Sequence, residues 1–101
     1  MTALKPSLPD ALRRIRKARG LSQEAFSEVS SRTYMSSLER DLKSPTLTKL
    51  AELCEVMEVH PLTLLTLAYA DGDQHKASSL LAYVQRELTS LLSKAGKTED
   101  K

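Results

Sequence analysis

The 101-residue sequence predicts an all-α protein, and three observations lead there. It has only three glycines and four prolines and no Trp, while Leu, Ala, Glu, Lys and Arg abound, a composition that favours helices over sheets. Apolar residues recur at three- and four-residue spacings in successive segments. Short runs of Ser, Thr, Gly, Asp and Pro separate those segments. The pattern predicts five short helices within residues 1–70, a long helix over 73–95, and a polar tail, 96–101, that frays.

The first helix, Pro9 to Ala18, sets Leu8, Leu12 and Ile15 on one face and Arg13, Arg14, Arg16 and Lys17 on the other. Ser7 or Asp10 can cap or charge its start, and Gly20 ends it in a left-handed conformation. Ser22 opens a second helix as N-cap, with Gln23 and Glu24 in its first turn and Ala25, Phe26 and Val29 facing inward. Ser30-Ser31 breaks it. Ser31 then caps a third helix, Arg32 to Arg40, with Met35 and Leu38 inside. Pro45 disfavours helix at Ser44 and closes the loop that follows. Thr46 caps a fourth helix, Leu47 to Met57, whose stripe is Leu47, Leu50, Ala51, Cys54 and Met57. His60-Pro61 starts a fifth, to Ala70, apolar almost all round and so expected deep in the core. After the turn Asp71-Gly72-Asp73, the last helix carries Ala77, Leu81, Val84, Leu88, Leu91 and Ala95 at alternating spacings of four and three, with Leu80 and Leu92 widening the stripe.

Charge and cysteine content bound the function. The net charge is only +2, but residues 1–44 hold nine basic groups against five acidic, while residues 45–101 hold six against eight. A basic front on a mildly acidic back points to a polyanion partner for one half. Cys54 stands alone and makes no internal disulfide. No apolar run approaches the roughly 20 residues that span a bilayer, and the N-terminus lacks the regions of a signal peptide. The expectation is a soluble cytoplasmic protein. Catalysis is not expected. His60 and His75 lie apart from metal-ligand spacing, Cys54 falls on an apolar stripe, and neither a phosphate-binding Gly loop nor a nucleophile elbow occurs. No metal or cofactor is expected.

Two short helices joined by a tight turn, the second polar on its outer face, read as a helix-turn-helix. Residues 9–66 resemble the Cro/CI-like (XRE) helix-turn-helix domain. Leu12, Arg16, Arg19 to Glu24, Ser31 to Met35, Leu38-Glu39-Arg40, Pro45-Thr46-Leu47 and Leu50 to Val59 carry the resemblance. It implies a five-helix lambda-repressor-like domain with the long C-terminal helix appended. It also implies a sequence-specific transcriptional regulator, a dimeric repressor that reads the major groove of a (pseudo)palindromic operator with the third helix. On this frame Arg32, Thr33, Ser36 and Ser37 point to base edges, with a phosphate clamp or a solvated charge as the other reading of Arg32. Gln23, Tyr34, Arg40, Lys43 and Ser44 meet phosphates, Gln23 at a helix N-terminus and also as a brace for the third helix; packing of the Tyr34 ring on the domain remains open. Glu39, acidic in a basic stretch, pairs in the family with an Arg of the first helix, here Arg16. Arg13, Arg14 and Lys17 fit either a solvated face or flanking DNA backbone.

The chain departs from the family at two places. The segment Val29 to Arg32 is about two residues shorter than usual and lacks the Gly of the turn. Asp41 stands where the following loop usually begins with Gly. Double-stranded DNA and a second copy of the chain are the expected partners, with Ala77, Leu81, Val84, Leu88 and Leu91 forming the dimer seam. Packing of that seam back on its own domain is the alternative arrangement. The rival function is an antitoxin or a protein-binding adaptor on the same fold.

Overall fold

The computed structural model describes residues 7–99, and the side chains of residues 7–93. Lys5 of the basic front and Asp100 and Lys101 of the tail lie outside the described residues. Five α-helices follow in order: α1 Leu8–Ala18, α2 Arg32–Glu39, α3 Leu47–Met57, α4 Pro61–Tyr69 and α5 Gln74–Glu99. A single 3₁₀ turn, Gln23–Phe26, lies between α1 and α2. No strand occurs among the described residues.

The expected second helix is therefore corrected to a 3₁₀ turn. The short connection is the cause. Ala25, Ser27 and Val29 each donate their N–H to the carbonyl three residues back, and Ser30 joins Val29 on the carbonyl of Phe26. Tightening from four- to three-residue bonds lets the chain reach Ser31, the N-cap of α2, without a glycine. Ala25 is exposed as a result, while Phe26 is fully buried.

Capping holds the other boundaries. The Ser31 hydroxyl accepts the N–H of Tyr34 at 3.0 Å, and Thr46 accepts that of Lys49 at 3.1 Å. His60 Nδ1 accepts the N–H of Leu62 at 3.0 Å, with Pro61 at the first helical position. Asp41 takes φ 62°, so the N–H of Leu42 reaches back to the carbonyl of Ser37 at 2.8 Å, a left-handed stop of the kind glycine usually makes. Asp73 caps α5 by accepting the N–H of Lys76, a bond that holds its carboxyl below the usual range.

One apolar core unites α1, the 3₁₀ turn, α2, α3 and α4. It contains Ala11, Leu12 and Ile15, then Phe26, Met35, Leu38, Leu50, Leu53, Cys54 and Met57, and finally Leu64 and Ala68. The inner stripe of α3 is Leu50, Leu53, Cys54 and Met57, so Leu53 replaces the expected Ala51, which is exposed. Leu47 starts α3 beyond the edge of the core and keeps 80% of its surface in solvent. α4 is also less deep than its composition suggests: Leu64 and Ala68 are buried, but Leu62 is 61% exposed. α5 begins against α4 and then leaves the domain, giving extents of 52 × 29 × 23 Å. It continues through Gly96 to Glu99, so the expected frayed tail is corrected to helix up to that residue.

The 3₁₀ turn is held to the domain chiefly by Phe26. Replacing Phe26 with Ala is expected to cost about 3–5 kcal/mol in chemical unfolding. A loss below about 1 kcal/mol would mean that the ring is not a core element.

Candidate nucleic-acid interface

The site begins with a buried carboxylate. Glu39, in the last turn of α2, keeps only 5% of its surface exposed. Arg16 of α1 meets it with two parallel bonds, Nε to Oε2 at 2.5 Å and Nη2 to Oε1 at 2.9 Å. Gln23 Nε2 donates to the same Oε1 at 3.1 Å, and Arg13 Nη2 donates to the Glu39 carbonyl at 2.7 Å. Arg16 also donates to the Leu21 carbonyl, at the entry to the 3₁₀ turn. The expected Arg16–Glu39 pair is thus present, and it joins α1, the 3₁₀ turn and α2 at one point.

Burial pushes the Glu39 carboxyl upward. The hydrogen bonds from Arg16 and Gln23, with the charges of Arg16 and Arg13, outweigh burial and hold it below the usual carboxylate range. The same hydrogen bond raises Arg16, against burial. The group is therefore ionised near neutral pH and fully partnered, which is the condition for tolerating a buried charge.

This node orients α2 and the loop after it. Arg32 and Thr33 are exposed at the start of α2, and Ser36 is partly exposed one turn later. Ser37 is not outward as expected: only 7% of its surface is exposed, and its carbonyl accepts the N–H of Leu42. Arg40, Lys43 and Ser44 are all exposed in the loop to α3. Lys17, Arg40 and Lys43 form no ion pair among the described residues. Tyr34 is half-buried, its ring packed against the core. A helix-dipole site at Gln23 is corrected too. A four-residue 3₁₀ turn carries no macrodipole to hold a phosphate, and the Gln23 amide nitrogen is already spent on Glu39.

Several contacts had no signal in sequence spacing. Arg32 Nη1 meets Glu24 Oε2 at 3.1 Å across the turn, in a pair where the side chains are 71% and 66% exposed. Lys49 Nζ bonds the carbonyl of Val29, tying α3 to the shortened turn, and also makes an ordinary i, i+3 pair with Glu52 at 3.0 Å. Arg19 donates to the carbonyls of Met57 and Glu58 and caps the end of α3. Arg13 and Arg14 also make internal contacts, with Asp10 and the Gly72 carbonyl, so the basic face of α1 is partly engaged within the protein.

The seam residues lie on α5. Ala77 is half-buried near α4, whereas Leu81, Val84, Leu88 and Leu91 are exposed, together with Tyr83 and Leu92. The seam's first two residues, Ala77 and Leu81, border α4, and Val84, Leu88 and Leu91 are exposed. Among the described residues no cluster of three or more His, Cys, Asp or Glu could hold a metal, and no helix is long and apolar enough to cross a membrane. Burial pushes the Cys54 thiol up, away from a reactive thiolate.

A family model described as helix-turn-helix matches residues 12–64, more than half of the chain. No curated protein and no solved structure matches it.

The node has a pH signature. A carboxyl held below its unfolded value near 4.3 contributes stability that is complete above that pH and is lost as pH falls through the folded value. Glu39→Gln is expected to lose about 3 kcal/mol near neutral pH, because it leaves Arg16 buried without its counter-charge. It should also flatten the decline of stability below about pH 4 seen in the parent. Parallel acid-unfolding curves for the two proteins would show that Glu39 is not the linked group.

Proposed function

The chain belongs to the Cro/CI-like helix-turn-helix family of DNA-binding regulators, and on that premise we propose that it is a dimeric repressor that reads an operator through α2. The observation that carries this reading is a juxtaposition. Arg32 and Thr33 at the start of α2 and Arg40, Lys43 and Ser44 in the loop that follows it are all exposed, and the end of α2 between them is fixed to α1 through Glu39. A short polar helix beside a cationic loop suits an element lodged in the major groove with backbone contacts beside it.

The roles divide by chemistry. Arg32 carries two donors for the O6 and N7 of a guanine, and Thr33 offers a hydroxyl or a methyl. Ser36 is short enough to let the helix approach. Arg40, Lys43 and Ser44 grip phosphates, and the Tyr34 hydroxyl adds to them, while Gln23 braces α2 through Glu39. Ser37 has no place in this interface because its side chain is covered. Glu24 holds Arg32 in the free protein, so Arg32 exchanges one partner for another on binding; an exposed pair of this kind costs little to break, about 0–1 kcal/mol.

One such unit reads only a few base pairs. Two copies related by a two-fold axis would read half-sites about one helical turn apart, and a repressor acts by occupying that site. The exposed apolar seam of α5 supports dimerisation: half-exposed Leu and Val side chains contribute on the order of 1 kcal/mol each when covered. Repression, dimerisation and the division into a 1–70 reading domain and a 73–95 pairing helix all belong to this proposal.

Salt titration tests it. Binding to duplex DNA should weaken steeply between about 50 and 200 mM salt, and Arg40→Ala or Lys43→Ala should each reduce the slope of log K against log salt by about 1. Arg32→Ala should cost about 1–3 kcal/mol and relax preference at one position. A loss that is uniform across sequences would assign Arg32 to a phosphate. Absence of binding at low salt would remove DNA as the partner and favour the protein-binding reading of the same fold.

A further inference from the structure

An apolar groove of about 590 Å³ runs between α4 and the start of α5, outside the reading surface. Ile15, Leu62, Leu67, Ala77 and Leu81 supply its apolar lining, and charged or polar groups, Arg14, Asp73 and Gln74 among them, also border it. Two of these, Ala77 and Leu81, are also the first two residues of the α5 seam. The groove is therefore the widened N-terminal end of that seam, and anything laid along the seam enters it. Leu62, 61% exposed at the edge of the core, lies on the border of this groove.

The other end of the seam is bare. From Leu81 to Ser93 every described position of α5 is exposed, Leu88, Leu91 and Leu92 among them. The chain thus presents an apolar groove at one end of a helix face and exposed leucines at the other. These two features are complementary, and a second copy of the chain supplies both at once.

Orientation follows from where the domain stands. α4 rises beside the seam only at its N-terminal end, where the groove lies. In a parallel, in-register pair the two domains would crowd together at that end, and the bare halves would cover only each other. In an antiparallel pair each domain meets the bare half of its neighbour. We propose that two copies pair through antiparallel α5 helices, each seating the partner's segment 88–92 in the groove between α4 and α5. This rests on the homodimer reading above and adds the orientation and the seat to it.

Nitroxide labels on Lys76→Cys and Ser93→Cys test the orientation in the full chain, since both positions are exposed and Cys54 is fully buried. The two positions lie about 25 Å apart along one helix at 1.5 Å per residue. An antiparallel pair gives same-site distances of about 20 Å or more in each variant alone, and a new distance under about 15 Å when the two variants are mixed. Short same-site distances with no new short distance on mixing would establish a parallel pair and overturn the proposal. The seat is tested separately by Leu62→Glu, on α4 and off the seam. It should weaken dimerisation at least tenfold in sedimentation while leaving the helical signal and thermal unfolding of the domain intact. Unchanged dimerisation would show that the groove is not occupied. A monomer at all concentrations in the parent protein would remove the homodimer reading itself.

Discussion

The arrangement of the reading surface depends on one buried carboxylate. Glu39 receives α1 through Arg16, the 3₁₀ turn through Gln23, and a second α1 contact through the Arg13 bond to its carbonyl. A charge so placed adds little net stability compared with an apolar pair of the same shape, but removing either partner is costly because the other is then stranded. Its value is geometric. Arg16 offers a flat fork that fits a carboxylate in one orientation, so the direction of α2 relative to α1 is set by two parallel bonds rather than by packing alone. The exposed residues at the start of α2 and in the loop after it inherit that direction.

The same node explains how a small net charge serves a polyanion partner. Of the basic groups in the front half, Arg16 is spent on Glu39, Arg19 on the end of α3, and Arg13 on Asp10 and the α2 carbonyl. These charges build the domain. Arg40 and Lys43 remain exposed beside α2, and Lys17 on α1. The cationic surface is therefore smaller than the sequence surplus implies. Few phosphate contacts mean modest affinity for one copy, and a second copy then matters for tight binding.

What was legible in the sequence follows physical range. Helix boundaries set by local chemistry were readable: Ser31, Thr46 and Pro61 cap or start their helices, and Asp41 takes the left-handed stop in place of glycine. An acid in a basic stretch pointed to a structural role for Glu39, and the family resemblance supplied Arg16 as its partner. Features decided by tertiary context were not. Ser22 and Gln23 look like an α-helix start, yet the shortened link to Ser31 leaves room for only a 3₁₀ turn. Ser37 carries a polar outer-face signal but is buried, at the turn where the Leu42 N–H bonds its carbonyl. Leu47 and Leu62 look like core by periodicity and stand beyond its edge. The Glu24–Arg32 and Lys49–Val29 contacts link segments whose separation carries no periodic signal.

If α5 pairs two copies as proposed, two reading units act together on one duplex. Selection of bound duplexes from a random DNA pool by the full chain measures this directly. The expected result is enrichment of a two-fold-symmetric motif whose half-sites are separated by about one helical turn or a multiple of it. Recovery of a pool with no enriched sequence, at salt low enough for phosphate contacts to form, would contradict it.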